Sequence, residues 1–177
     1  MKKLLFLLPL LAIISCANAD NPNRAKFNKS GCLECDNYSS GEFFILNSIG
    51  YVVADSAILV TAIDDGDDLN RYCTSNIKNM SALFNGKTAF NRDISSWDVS
   101  NVIDMSEMFS NAYSFNQDIG SWDMINVDNM DKMFSGATAF NQDLTQWCVP
   151  YFFSVPTDFS TNSALTASNH PVWGNCP

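Results

Sequence analysis

The chain has 177 residues, 46% of them hydrophobic and 12% aromatic, which is too apolar for a disordered polymer, long enough for one domain and short for two. Ten Lys and Arg face 19 Asp and Glu, a net charge of −9 that repels phosphate backbones and excludes nucleic acid as a partner. The single His, His170, leaves little room for a His-based metal cluster, and a Ser-His-Asp site would need that residue itself.

Residues 1–19 read as an export signal. Lys2 and Lys3 precede an apolar run, Leu4 to Ile14, far short of the roughly 20 residues that span a bilayer. Two cleavage sites are present. Ile13-Ile14-Ser15-Cys16 resembles a bacterial lipobox, which would leave Cys16 as a lipidated N-terminus, and Ala17-Asn18-Ala19 resembles an ordinary signal-peptidase site. Either cut exports the chain, to the cell surface as an outer-membrane lipoprotein or to the extracellular medium. Loss of the two leader lysines makes the net charge two units more negative.

Residues 20–41 carry Asn, Pro, Lys, Ser and Gly and predict a flexible stalk. Residues 42–75 predict an N-terminal cap: a hairpin around Asn47-Ser48-Ile49-Gly50, then a helix from Asp55, its N-cap, to Ile63. Asp64-Asp65-Gly66-Asp67-Asp68 lacks the alternating ligands of an EF-hand and reads as a helix-ending acidic turn.

Residues 76–150 fall into three 25-residue blocks without a gap: 76–100, 101–125 and 126–150. Met80, Met105 and Met130 align, as do Phe84, Phe109 and Phe134, Phe90, Phe115 and Phe140, and Trp97, Trp122 and Trp147. Met105, Met108, Phe109 and Ala112 have the i, i+3, i+4, i+7 spacing of a short amphipathic helix, with Asp104 as N-cap. Ile119, Trp122, Met124 and Val127 suggest a short strand after a polar loop. The expected fold is therefore an α/β repeat solenoid of three to four helix-loop-short-strand turns with a short parallel sheet. Residues 151–177 form a degenerate fourth block and C-terminal cap, in which Phe159 and Leu165 keep the spacing.

The aligned columns have plain structural readings. The Trp, Met and Phe columns are expected in the core, although a Trp column could also offer a platform for sugar rings. Asn91, Asn116 and Asn141 predict a buried ladder. Asp93, Asp118 and Asp143 are expected to cap backbone N–H groups rather than to bind calcium between turns.

Outside the cytoplasm the cysteines should pair. Cys148 with Cys176 would close a loop of roughly 28 residues and contribute about 3 to 4 kcal/mol in the chain-entropy model. Cys73 is expected to pair with Cys35 or Cys32. Cys32-x-x-Cys35 reads as structural, because no second C-x-x-C and no nearby His accompany it.

The second block, residues 101–125, resembles nearly throughout the 25-residue unit of BspA-like leucine-rich-repeat surface proteins, also known as a mycoplasma lipoprotein repeat. The resemblance extends over roughly residues 42 to 177. It implies surface display, adhesion and protein binding rather than a reaction. Two features depart from the family pattern: three clean blocks where relatives often carry more, and no sorting module after Pro177, so that any anchor is expected at Cys16.

The leading functional reading is a non-enzymatic, monomeric surface or secreted protein that binds an extracellular protein or a host or neighbour-cell ligand, with no cofactor, no metal and no catalytic residue. Lys87, Arg92, Ser96, Glu107, Tyr113 and Lys132 are the candidate binding residues, because the blocks differ there on a constant frame. One alternative is a secreted glycan-binding or carboxylate-dependent hydrolase module using Asp93 and Asp118, which is disfavoured because these Asp recur in every block. The other is a calcium-stabilised structural spacer.

Overall fold

Asn47 and Ser48 both take positive φ, 50° and 66°, and so close the two-residue turn of a hairpin. Its strands, β3 (Phe43–Leu46) and β4 (Ile49–Val53), pair antiparallel with Phe43 opposite Val52 and Leu46 opposite Ile49. The computed structural model describes residues 25–27, 32–35 and 37–177. The leader, both cleavage sites and Cys16 lie outside the described residues. Ahead of the hairpin, β1 (Lys26–Phe27) pairs antiparallel with β2 (Leu33–Glu34). Helix α1 (Ser56–Asp65) follows the hairpin, and β5 (Tyr72–Cys73) then joins β4 in parallel, giving the sheet order β3-β4-β5.

Helix α1 starts and stops for local reasons. The Asp55 side chain accepts from the Ile58 amide (2.8 Å), and Gly66 ends the helix in the left-handed region at φ 79°. Leu59, Ala62 and Ile63 face the core. Cys35 bonds to Cys73 and Cys148 to Cys176. Within the expected stalk, Ala25, Leu33 and Cys35 are buried against Phe44, Tyr51 and Val53, so the described part of residues 20–41 packs rather than hangs free.

The expected leucine-rich-repeat solenoid is not found. The described residues form a small mixed α/β domain with one α-helix and two small sheets, and residues 76–150 contain neither the block helices nor the parallel sheet. Only isolated parallel bridges, Asn79 to Asp104 and Asp104 to Asn129, join the blocks, and they fall at the positions expected to cap helices, not in the expected strands. The reason lies in the backbone. Ala82 and Gly86, Glu107 and Asn111, and Lys132 and Gly136 all have φ between 55° and 73°, which no α-helix accommodates. Each predicted helix is instead a pair of tight turns. Met108, Ser110 and Ala112 donate three residues back, to Met105, Glu107 and Phe109. The alternate amides of Met105, Glu107, Phe109 and Asn111 donate 24 residues ahead, to Asn129, Asp131, Met133 and Ser135.

The main core takes the Met, Phe and Trp columns. Phe84, Phe109 and Phe134 stack in sequence at 5.2 and 5.6 Å between centroids. Trp97, Trp122 and Trp147 are buried and present no face to a sugar ring. The Asn ladder forms, but on the surface. Asn91 Oδ1 accepts from the Asn116 amide (2.9 Å) and Asn116 Oδ1 from the Asn141 amide (3.1 Å), with all three side chains exposed.

Candidate binding face

Each block opens with Asn. The Asn101 side chain donates to the Ser75 carbonyl (2.9 Å) and that of Asn126 to the Ser100 carbonyl (2.7 Å). The next residue, Ile77, Val102 or Val127, points into the core. The third, Lys78, Ile103 or Asp128, is exposed. The backbone ties these third residues together: the Ile103 amide donates to the Lys78 carbonyl (2.8 Å) and the Asp128 amide to the Ile103 carbonyl (2.9 Å). Three chemically different side chains thus stand on successive rungs of one hydrogen-bonded row. With Asn101, Asn126 and Tyr151 they line a groove of about 470 Å³. Ile103 is 42% exposed and Tyr151 61%, a high exposure for large apolar side chains.

The residues singled out by block variation lie elsewhere, and most are engaged inside the molecule. Arg92 donates to the carbonyls of Asp67 (2.7 Å) and Ile63 (3.0 Å), clamping the C-terminal end of α1, and its guanidinium lies 5.4 Å from the Phe90 ring centre. Lys87 pairs with Asp64 at the same end. Ser96 donates to Asn70 Oδ1 (2.9 Å). Glu107 accepts from Asn85 (3.0 Å) and pairs with Lys132 at 3.7 Å, so these two are brought together. Tyr113 stands exposed and apart. Lys78, Ile103 and Asp128 meet the same criterion of block variation but are not among those six residues.

The carboxylates are engaged with the backbone. Asp93, Asp118 and Asp143 each accept from the amide two residues on, Ser95 (2.9 Å), Gly120 (3.0 Å) and Thr145 (2.9 Å). Those bonds hold the Asp93 and Asp143 carboxyls below the ordinary range. In the acidic turn, Asp67 accepts from the Tyr72 hydroxyl (2.6 Å), and Asp68 accepts from the Asn70 amide and pairs with Arg71. Burial, reinforced by Asp67, pushes the Tyr72 hydroxyl up to about 12. Cys32 is buried, and that burial, followed by the carboxylates of Asp98, Asp123 and Glu34, pushes its thiol up to about 11, far from a reactive thiolate. His170 lies in the C-terminal segment against Phe159 and Trp173, with Nε2 3.1 Å from Ser160 Oγ.

A model of the family described as "Mycoplasma protein of unknown function, DUF285" matches residues 56–172. No curated protein and no solved structure matches the chain.

Proposed function

The chain belongs to the DUF285 family, and from that premise we propose that it is an exported, non-enzymatic bacterial protein that binds another protein at the cell surface or in the extracellular medium. The observation that carries this reading is the groove along Lys78, Ile103 and Asp128. A cationic, an aliphatic and an anionic side chain are held in order on a shared backbone row, with an exposed Tyr beside them. Such a row offers a sequence of chemically distinct contacts to a partner while the frame beneath it stays constant. Exposed aromatic and aliphatic groups ringed by polar ones are the usual make-up of a protein contact.

Further support comes from three directions. Residues 101–125 resemble the unit of BspA-like surface proteins, which implies adhesion. The leader directs export, with Cys16 as the lipid attachment point in the tethered form. The recurring carboxylates Asp93, Asp118 and Asp143 are occupied in capping backbone amides, a structural task that favours a binding protein over a carboxylate-dependent hydrolase.

The test is a panel of immobilised extracellular-matrix and bacterial surface proteins that includes this chain itself, with a glycan array alongside. The expected result is saturable binding to a protein without turnover of any glycan. Glycan cleavage, or no protein bound across the panel, overturns the reading. Incorporation of a labelled lipid precursor by the native chain and its loss in Cys16→Ala would identify the tethered form.

A further inference from the structure

The exposed row Lys78–Ile103–Asp128 is self-complementary, and we propose that its partner is a second copy of this chain, docked across a two-fold axis that passes at Ile103. The proposal rests on the binding reading above and names the partner for that groove. Reversed in direction, the row cation–aliphatic–anion becomes anion–aliphatic–cation. A two-fold axis at the central residue therefore places Lys78 of each copy on Asp128 of the other and sets Ile103 against Ile103, which is the pairing an isologous contact requires. Successive rungs of a parallel ladder lie about 4.8 Å apart, so the charges sit about 10 Å apart on each copy. That span is the same on both copies by symmetry, and both ion pairs form together.

The neighbouring residues suit the same arrangement. Tyr151 lines the groove with Asp128, so in the pair it meets the Lys78 stem of the second copy, an arrangement that favours a cation over an aromatic face. The net charge of the exported chain, two units more negative than the −9 of the full sequence, opposes association at long range. At physiological salt that repulsion is screened beyond about 8 Å, whereas two contact pairs around a desolvated Ile103 are screened much less. The contact is small and belongs to the weak, reversible class of interfaces. Copies displayed on one surface or on facing surfaces would gain by acting together.

Sedimentation analysis of the full exported chain, disulfides intact, at 1 to 500 µM in 150 mM salt reads the pairing directly. The native chain should pass from monomer to dimer over that range. Lys78→Asp and Asp128→Lys should each weaken the dimer about tenfold or more, and the double variant K78D/D128K should restore it. A native chain that stays monomeric, a dimer indifferent to either reversal, or a double variant no better than the singles overturns the proposal. An independent reading needs no charge change. Ile103→Cys, lying on the axis, should give a disulfide-linked dimer on a non-reducing gel, and failure to do so contradicts the axis. A native monomer that still binds a panel protein refutes the self-pairing alone and leaves the binding reading standing.

Discussion

The rings of Phe109 and Phe134 lie 5.6 Å apart between centroids with their planes only 2° from parallel. Phe84 stacks on Phe109 at 5.2 Å, and Phe115 lies 3.9 Å from it. One side chain thus holds two neighbouring blocks and its own polar loop. Phe109→Ala is predicted to cost about 3–5 kcal/mol, measured by denaturant unfolding. Phe153→Ala, at a residue 92% exposed, should change stability by about 0.5 kcal/mol or less. Equal effects at the two sites would contradict the stacked core.

The three core tryptophans are chemically unequal. Trp147 Nε1 donates to the Ile119 carbonyl and Trp97 Nε1 to the Leu69 carbonyl, each at 3.0 Å, whereas Trp122 Nε1 is buried without a hydrogen-bond partner among the described residues. Replacing Trp by Phe removes a similar volume at each site, but at 97 and 147 it also removes a buried hydrogen bond, leaving the Leu69 and Ile119 carbonyls with only the backbone amides of Tyr72 and Trp122. Trp147→Phe should therefore cost about 1 kcal/mol more than Trp122→Phe. An equal or smaller loss at 147 would count against the hydrogen-bond assignment.

Gly120 marks a close approach between blocks. A Cβ placed there would lie 2.6 Å from the Asp143 carbonyl oxygen, a backbone atom that cannot swing aside. Gly120→Ala is predicted to destabilise the chain by about 1–3 kcal/mol through overpacking. A melting temperature equal to that of the native chain would show that the two blocks are not so closely apposed.

Acid should destabilise the protein in two windows. Burial lowers the His170 pKa below its ordinary 6.5, so the unfolded chain binds the proton more readily than the folded one. The contribution of neutral His170 is complete above 6.5 and is lost as pH falls through the folded value. His170→Gln should flatten the change in melting temperature between pH 7 and pH 5. At lower pH, Asp93 contributes above its ordinary 3.8 and loses that contribution as pH falls through its depressed folded value. Asp93→Asn should flatten the limb below pH 4 without affecting the His170 window.

The legibility of the fold in the sequence differs from segment to segment. Asn47-Ser48 and Asp55 announce themselves through turn and cap chemistry that acts within four residues, and the hairpin and α1 stand there. Cys35, Cys73, Cys148 and Cys176 are bonded in pairs that short-range reading can narrow, while the choice of Cys35 over Cys32 depends on how β2 lies against β5. The blocks mislead because two consecutive tight turns bury the same positions, Met105, Met108, Phe109 and Ala112, as one amphipathic helix would. A contrary signal is present in the aligned Gly86, Asn111 and Gly136, residue types suited to a left-handed backbone and poorly suited to a helix interior.

The candidate binding face divides in the same way. Block variation identifies positions free to differ, but not which of them remain available to a partner. Arg92 and Lys87 vary because block 76–100 alone abuts the end of α1. Lys78, Ile103 and Asp128 vary on an open row. Only the packing of α1 separates the two cases.

Ile103→Asp places a charge in the middle of the proposed contact face made by this row and Tyr151. The most direct measurement is the equilibrium binding of full-length native and Ile103→Asp chains to the same immobilised partner, with thermal melting as the control for folding. Ile103→Asp should bind at least tenfold more weakly at an unchanged melting temperature. Undiminished binding by that variant would contradict the proposed face.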